Sequence, residues 1–577
     1  MRFRPSKRGA VLATALVVAA LSSVACSLLV TTEADQCTTD ADCDRFGSYV
    51  CDRVARVCVL PTVADASADD DARDATVDDA SLVEQDGGIL PLPDASLDAT
   101  LDVDAAIDAT VDVDAGPDAR DGSGDGGADA DSGDGDASDA ADASDVPDAA
   151  DASETSDADA ADAASPCDPV GKADVVVQGT ITADTRWACS SYWVLDGIVH
   201  VGSGVTLTID KGTTVKGDFT NRGALVVDPG GKVVAVGTRD EPIVFTSARA
   251  DGQRVAGDWL GVALVGNATV NRTATSALYG ISTNGGSDDD DSSGSLQYVR
   301  IEYTAAVGLS MFAVGRGTTI DHVEVRKANS DCFGWYGGTV NMKHLVCLHG
   351  GINGFAWNFG YRGKLQFLAF QSRPDVISRR ANGIFGGNGT TGPDAAVPVS
   401  SPVVYNATFC GRNRANLAET NVGLFLSSGT EARIANALVA GFESGLNLRD
   451  LATADNARSG KLSIKNTLFS DNRPEPVAFP EDAGVDSGDF ADDDFGFDEI
   501  AWASLAANAN VVSDAGALPG CFSATNPVMR PAAVIDGNAS TPPADGFFDT
   551  NARYVGAFRD GNDGWADGAW VVWDNSH

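Results

Sequence analysis

Residues 296–303 read LQYVRIEY, a run in which bulky apolar residues alternate with polar ones. The same pattern recurs at 320–327 (IDHVEVRK), 342–349 (MKHLVCLH) and 365–372 (LQFLAFQS), so the starts lie 24, 22 and 23 residues apart. Alternation with a period of two residues is typical of a β-strand. A short repeat of this kind is typical of a solenoid, in which each coil buries its apolar face only against the next. This stretch therefore predicts an all-β, single-stranded parallel β-helix.

Three further segments continue the pattern, and their starts are 30 residues apart twice: 404–411 (VYNATFCG), 434–441 (IANALVAG) and 464–471 (IKNTLFSD). They place Asn406, Asn436 and Asn466 at the same point of successive coils. Stacked asparagines can hydrogen-bond along such a column, so an asparagine ladder is predicted. The alternative is three unrelated surface turns. Outside the repeats, the one segment with a helical pattern is 499–508.

Strand alternation also predicts which side chains face outward. If Val299 and Ile301 point into the core, an outward column of rings follows, with about 4.8 Å between coils: Tyr298, His322, His344 and Phe367. Beside it, Arg300 faces Glu324 as a cross-strand ion pair. One interpretation is a flat surface that stacks on sugar rings. The alternative is a column covered by a loop such as 285–295, with the rings serving as packing.

A metal site at His322 and His344 is a further hypothesis, with Glu324 nearby. Imidazole suits zinc and other transition metals, but a site needs at least three ligands. The sequence offers no clear third ligand and no His-x-His spacing.

The charge of the chain excludes one class of function. There are 83 acidic against 40 basic residues, a net charge of −43, whereas a nucleic-acid binder needs a basic surface. Residues 61–165 hold 32 of the acidic residues with only two basic ones, and repeat Asp-Ala dipeptides without aromatic residues. Such a segment is predicted to be a disordered spacer. A calcium-responsive tether is the alternative, although the glycine nonapeptide of RTX repeats is missing.

The N-terminus predicts export. A basic start precedes an apolar run at 10–20 that is too short to span a bilayer, so residues 1–25 are predicted to be a signal peptide. The sequence LSSVAC at 21–26 resembles a bacterial lipobox, with Ser23 where an aliphatic residue is usual. The resemblance implies that Cys26 is lipidated and anchors the protein in the outer membrane, at the cell surface. The alternative is an ordinary signal peptide cut after Ala25.

Ten cysteines remain after Cys26, an even number that suits an oxidising compartment. Four lie in the head, 26–60, where two disulfides are predicted and their pairing is open: Cys37, Cys43, Cys51 and Cys58. A zinc site is the rival interpretation, but the head has no His and no CxxC pair. This spacing resembles short modules in secreted proteins of predatory and soil deltaproteobacteria.

The other six cysteines lie in the body, 166–577. Three disulfides are predicted there: Cys167–Cys189, Cys332–Cys347 and Cys410–Cys521. The first would clip the start of the solenoid, and the second lies within one coil length. The third is assigned by elimination. Free buried thiols are the alternative.

The body also resembles the bacterial secreted right-handed β-helix proteins of cell surfaces. The resemblance rests on short motifs such as VQGTITADTRW (177–187), GDWLGVALVGNA (257–268), GYRGK (360–364) and DGFFDTNARYVGAF (545–558). It implies a right-handed parallel β-helix, and little chemistry, because the activity of the family is largely uncharacterised. One departure is GGINGFAWN at 350–358, where the family is usually rich in Asp.

Two functions fit these observations. The first is a surface protein that contacts polysaccharide or another surface protein, or acts in adhesion, without a cofactor. The alternative is a carbohydrate-active enzyme on an acidic glycan, which would need a base near neutral pKa and cations. Arg300, Lys343, Arg362 and Lys364 are the candidate basic groups, and Arg362 is also a candidate ligand-binding residue.

Calcium is the cation considered, and its candidate ligands are Asp288, Asp289, Asp290 and Asp291. The plainer interpretation is that Arg362 satisfies turn carbonyls and 288–291 is a solvated loop. There is no GxSxG elbow, P-loop or HExxH motif, so serine esterase, NTPase and zincin interpretations lack support.

Overall fold

The computed structural model describes residues 50–52, 57–59, 167, 171–373, 381–389, 395–413, 421–472, 496–513 and 516–574. The predicted signal peptide, the lipidation site Cys26, Cys37, Cys43 and the acidic linker lie outside the described residues. In the head, β1 (Val50–Asp52) pairs antiparallel with β2 (Val57–Val59), and Cys51 lies opposite Cys58.

The body is a parallel β-helix. Each coil contributes one strand to its first long sheet, sheet A. Over the described residues, the ten strands of this sheet follow one another in chain order: β4 (Thr180–Ile181), β7 (Ile198–Val201), β10 (Ala224–Val227), β13 (Gly261–Val265), β17 (Leu309–Phe312), β19 (Phe333–Tyr336), β21 (Phe355–Asn358), β23 (Ile384–Gly386), β25 (Val422–Leu426) and β27 (Ser444–Leu448).

The second long sheet, sheet B, has sixteen strands over the described residues: β3 (Asp174–Val177), β5 (Thr185–Trp187), β6 (Tyr192–Leu195), β8 (Thr206–Ile209), β9 (Thr214–Gly217), β11 (Lys232–Val236), β12 (Ile243–Ser247), β16 (Gly294–Glu302), β18 (Thr319–Arg326), β20 (Asn341–Gly350), β22 (Lys364–Ser372), β24 (Val403–Cys410), β26 (Arg433–Ala440), β28 (Ser463–Lys465), β29 (Leu468–Ser470) and β30 (Val511–Ser513).

The predicted repeats are confirmed residue by residue. The first apolar positions of all seven segments are paired Cα partners along sheet B: Leu296, Ile320, Met342, Leu365, Val404, Ile434 and Ile464. Val299 and Ile301 are fully buried, as the alternation predicts. The side chains inside the coils form one continuous core, which each coil completes only by stacking on its neighbours. The right-handed sense stays a prediction.

The long strands of sheet B bend at one residue each. The register passes from the pair Gln297↔Asp321 to Val299↔Val323 and skips Tyr298 and His322. The skipped residues adopt left-handed φ angles between 51° and 62°: Tyr298, His322, His344, Phe367, Asn406, Asn436 and Asn466. Asparagine tolerates this conformation, whereas a bulky ring there is a strained exception. The seven residues form one column along the bend.

Other elements cover the solenoid. A hairpin of β14 (Thr269–Ser276) and β15 (Ile281–Gly285) lies on the outer face of sheet A. The predicted helical segment is α2 (Glu499–Ala503) with a 3-10 turn at Ala506–Asn508, and a second 3-10 turn is Pro519–Phe522. Sequence patterns missed the helix α1 (Leu451–Arg458), because its apolar stripe is weak. Within the described ranges, no helix has the length and apolarity needed to cross a bilayer.

Residues 516–574 form an irregular segment, the C-terminal strap, that lies over the outer face of sheet B. Leu518, Met529, Val555, Phe558 and Trp570 of the strap form one apolar cluster with outward residues of sheet B. The strap is joined covalently to the solenoid by the disulfide Cys410–Cys521. All three predicted body disulfides are present, the others being Cys167–Cys189 and Cys332–Cys347.

Candidate functional site

The predicted ring column forms a continuous stack. The ring centroids are 4.5 Å apart for Tyr298 and His322, 4.2 Å for His322 and His344, and 4.8 Å for His344 and Phe367. The interplanar angles lie between 10° and 25°, so the rings are nearly parallel. This stacking offsets the cost of four bulky residues in the left-handed conformation.

The column is not the open sugar-binding surface that was one interpretation of the sequence. Its ring faces contact one another, and the strap covers its edges. The ring centroid of Trp570 lies 5.2 Å from that of His322, and the ring centroid of Trp565 lies 5.1 Å from that of His344. The alternative of a covered column is therefore correct, but the cover is the strap and not the loop 285–295.

The asparagines continue the column but use different partners from those expected. Asn406 donates to the carbonyls of Ala552 and Tyr554, and Asn466 donates to that of Asn538. Asn436 exchanges hydrogen bonds with the main chain of Ser540 in both directions, at 2.8 Å each. The three amides therefore hold the strap to the solenoid, whereas the predicted ladder required bonds along the turn.

Asp321 joins the two histidines. Its Oδ1 atom lies 2.7 Å from Nδ1 of His344 and 3.0 Å from Nδ1 of His322. Burial alone would raise the pKa of Asp321, but hydrogen bonds from both imidazoles outweigh it and lower the pKa well below its usual range. Burial lowers the pKa of His344, against the opposing effect of its bond to Asp321. The sequence did not suggest Asp321 as a third candidate metal ligand, although its position beside His322 in the repeat was a signal.

A mixed-charge cluster continues from Asp321 toward the strap. Lys343 is the register partner of Asp321, and its Nζ lies 4.8 Å from the ring centre of Phe547. Burial lowers the pKa of Lys343, and the carboxylates of Asp321, Asp549 and Asp545 act in the opposite direction. The Nζ of Lys364 pairs with Asp545 at 2.7 Å. Both lysines therefore face strap carboxylates.

The strap forms a cleft of about 550 Å³, the strap cleft. Carboxylates and amides predominate in its lining, which consists of Asp549, Asn551, Ala552, Tyr554, Arg559, Asp560, Asn562, Asp563 and Gly564. Tyr554 is only 8% exposed and packs with Phe367, the last ring of the column. Burial, together with Asp563 and Asp549, raises the pKa of Tyr554 well above its usual range, so its hydroxyl stays protonated.

Comparison with protein families identifies the solenoid. The family model described as a pectate-lyase-like β-helix domain matches residues 179–484, which is more than half of the chain. The chain belongs to this family. A search of the curated proteins and of the solved structures finds no match. The strap cleft, at 549–564, lies outside the part of the chain that the family model matches.

Because of the family, the basic residues that a lyase would use are worth locating. Lys343 and Lys364 lie near the same strap carboxylate, Asp545, whereas Arg300 and Arg362 lie at other places. Arg300 lies under the strap, where its Nε is 2.7 Å from Glu302 and its Nη1 donates to the carbonyl of Ala569. It is the register partner of Glu324, as expected, at 4.0 Å. Arg362 lies elsewhere, bound to Asp289.

Arg362, the candidate ligand-binding residue, contacts the acidic run that was the candidate calcium site. Nη2 of Arg362 contacts both carboxylate oxygens of Asp289, at 3.1 and 3.2 Å, and its Nε donates to the carbonyl of Gly360. Burial alone would raise the pKa of Asp289. The hydrogen bond from the main chain of Thr269 and the contact with Arg362 outweigh burial, so the pKa is lowered. Arg362 is therefore an internal partner of the acidic run, and its predicted ligand-binding role stays a prediction.

The other members of the run are also engaged. Asp290 pairs with Arg316 at 3.2 Å, Asp291 accepts from the main chain of Asn267, and Asp288 accepts from the main chain of Asp290. Among the described residues, the group that can converge on a metal ion is Asp321, His322 and His344, and not 288–291. A calcium site at 288–291 therefore lacks converging carboxylates.

Proposed function

We propose that this protein is an exported, lipid-anchored surface protein whose strap cleft binds a neutral polysaccharide. The cleft is the observation that carries the proposal, since its volume of about 550 Å³ suits a small-ligand site. Its carboxylates and amides can accept and donate hydrogen bonds to sugar hydroxyls. Membership of the pectate-lyase-like β-helix family supports a role connected with polysaccharide.

The charge of the cleft favours a neutral glycan over a polyuronate. Asp549, Asp560 and Asp563 face a single cation of the lining, Arg559. A chain of uronates would meet like charge here and be repelled. Neutral sugars bring hydroxyl donors, which match the excess of acceptors.

Tyr554 supports a ligand at this place. Its side chain is about nine-tenths buried, and it lines the cleft. Its hydroxyl can donate a hydrogen bond to a ligand there. Its packing against Phe367 holds the ring in place.

Export is supported by the body disulfides, because such bonds persist mainly in oxidising compartments. The N-terminal sequence adds the basic start, the apolar run and Cys26. Binding is favoured over lyase chemistry, since the basic residues that a lyase would need lie beside acids of the protein itself.

The test uses the full chain in co-sedimentation with insoluble neutral and acidic glycans, while reducing ends and unsaturated products are followed. The variants are Tyr554→Phe, which removes one hydroxyl, and Asp560→Asn, which removes one charge. The matched control is Asp536→Asn, an exposed strap residue outside the cleft.

We expect co-sedimentation with a neutral glycan, weakened by both cleft variants and unchanged in the control. Binding that is equal in all four proteins, or absent from wild type, would overturn the proposal. Release of products from an acidic glycan would replace it with the enzymatic alternative.

A further inference from the structure

We propose that Asp321, His322 and His344 form a binding site for a divalent late transition-metal ion, with Zn²⁺ as the ion to test first. One donor atom of each residue lies within 4.8 Å of the other two. A set of two imidazoles and one carboxylate suits Zn²⁺, Ni²⁺ or Cu²⁺, and does not suit Ca²⁺ or Mg²⁺, which prefer oxygen ligands.

The donor atoms converge. The Nδ1 atoms of both histidines face the same oxygen, Oδ1 of Asp321, at 2.7 and 3.0 Å. Zinc bonds to nitrogen and oxygen of about 2.0–2.2 Å place tetrahedral ligands roughly 3.3 Å apart. A bound ion therefore requires both imidazoles to turn, because their stacked planes keep the two Nδ1 lone pairs nearly parallel. It also requires the oxygen to move away from each nitrogen by a few tenths of an ångström. The side chain of Asp321 is 37% exposed, which leaves it room for this shift.

The stack brings the two imidazoles together. Each ring lies between two others, with Tyr298 at one end and Phe367 at the other. Trp570 and Trp565 contact their edges. Metal binding turns the rings and costs part of this stacking, so the bonds to the ion must offset that cost.

One nearby cation, Lys343, opposes the ion. It is the register partner of Asp321, and its charge acts on both Asp321 and His344. The ring of Phe547 and the carboxylates of Asp545 and Asp549 lie near its Nζ and offset part of this charge. The three donors together carry one negative charge, that of the Asp321 carboxylate, and this charge attracts a cation.

Three protein ligands leave at least one coordination position for water or for a ligand group. Structural zinc sites normally have four protein ligands, whereas sites that bind or activate a ligand keep one position open. The side chains of His322 and His344 are 15% and 18% exposed, so solvent reaches the site. Metal binding here does not depend on a glycan in the strap cleft.

The experiment measures Zn²⁺ binding to the full, disulfide-bonded chain, freed of metal by chelation and carrying no histidine tag. Isothermal titration gives affinity and stoichiometry, and Co²⁺ substitution gives a visible spectrum that reports nitrogen and oxygen ligands. The variants are Asp321→Asn and His344→Phe. The second preserves the stack, because Phe367 shows that the column accommodates a phenyl ring.

The control is His200→Gln. His200 has the same type of partner, with Nδ1 at 2.8 Å from Asp228, but only one imidazole takes part. Every variant keeps the acidic residues of 61–165, so weak binding there is common to all of them. Circular dichroism and thermal melts confirm that each variant is folded.

We expect one tight Zn²⁺ ion per wild-type chain, a loss of affinity of at least about tenfold in Asp321→Asn and His344→Phe, and wild-type affinity in His200→Gln. Absence of a tight ion in wild type, or equal affinity in folded Asp321→Asn and His344→Phe, would contradict the proposal. Neither result bears on glycan co-sedimentation, so the two proposals fail separately.

Discussion

The main-chain amide of Val572 donates to both carboxylate oxygens of Glu324, at 3.2 Å each. Val572 belongs to the strap, whereas Glu324 lies on β18 and is fully buried. Around it lie Arg300, Glu302 and Arg326, so that two acids and two bases share one covered patch. The strap therefore closes over charged groups, and its docking must depend on their ionisation.

Stability should fall with rising pH because of Glu324. Burial raises the pKa of this residue to about 7, despite Arg326 and Arg300, while the ordinary value is 4.5. The folded state thus keeps a proton that the unfolded state loses, and its stabilising effect disappears as pH rises from about 4.5 through 7. Glu324→Gln should gain stability relative to wild type between pH 5 and pH 8, by on the order of 2 kcal/mol.

Denaturant unfolding at the two pH values measures this gain. Glu241→Gln is the control, since Glu241 is an exposed partner of Lys211. Parallel pH profiles for wild type and Glu324→Gln would show that the carboxyl is ionised throughout.

The disulfide Cys410–Cys521 should hold the strap on sheet B. It closes a loop of 111 residues, and removal of a native disulfide typically costs about 2–5 kcal/mol. In Cys410→Ser/Cys521→Ser, we expect faster protease cleavage within 516–574 while the β-sheet circular dichroism is retained. Mass spectrometry of the fragments locates the cuts. The pair Cys167→Ser/Cys189→Ser should leave strap cleavage unchanged, and an equal effect of both pairs would argue against a local role.

Asn436 should matter for two separable reasons, its hydrogen bonds to Ser540 and its left-handed φ of 55°. Asn436→Ala loses the hydrogen bonds and places alanine in the left-handed conformation, which alanine tolerates less well than asparagine. It should destabilise the fold by about 2–3 kcal/mol. Asn436→Gly loses only the bonds, because glycine accepts this φ, and should be about 1 kcal/mol more stable than the alanine variant. The free energies of unfolding of the two variants measure this difference. An alanine variant as stable as the glycine variant would mean that the left-handed conformation at position 436 has no cost.

Arg362 and Asp289 should be coupled in stability and irrelevant to glycan binding. The pair is about three-quarters buried, so a double-mutant cycle with Arg362→Ala and Asp289→Asn should give a coupling of about 1 kcal/mol. Co-sedimentation with glycan should be unchanged in Arg362→Ala. Weaker glycan binding in that variant would restore Arg362 as a ligand-binding residue.

The sequence predicted what depends on periodicity. The spacing of Leu296, Ile320 and Met342 fixed the register of sheet B, and the same alignment placed Tyr298 and His322 in one column. Alternation identifies the inward-facing residues, because each coil must bury them and they are therefore apolar. Cys332 and Cys347 were paired on the same logic, since one coil length brings them together.

The rest could not be read from the sequence because it depends on contacts between distant, aperiodic segments. The strap has no repeat, so nothing in its sequence shows that Trp565 reaches His344. Likewise, Asp289 and Arg362 are separated by 73 positions, and neither residue looks different from a free surface charge. Alternation left open whether the outward rings are exposed or covered, and the strap covers them.

Hydrogen–deuterium exchange of the full chain, with and without a bound neutral glycan, shows whether the strap cleft binds the glycan. The glycan should slow exchange at 549–564, which includes the residues that line the strap cleft, and leave the segments around Asp289 and Arg362 unchanged. Protection confined to the outer face of another part of the solenoid, with none at 549–564, would contradict it.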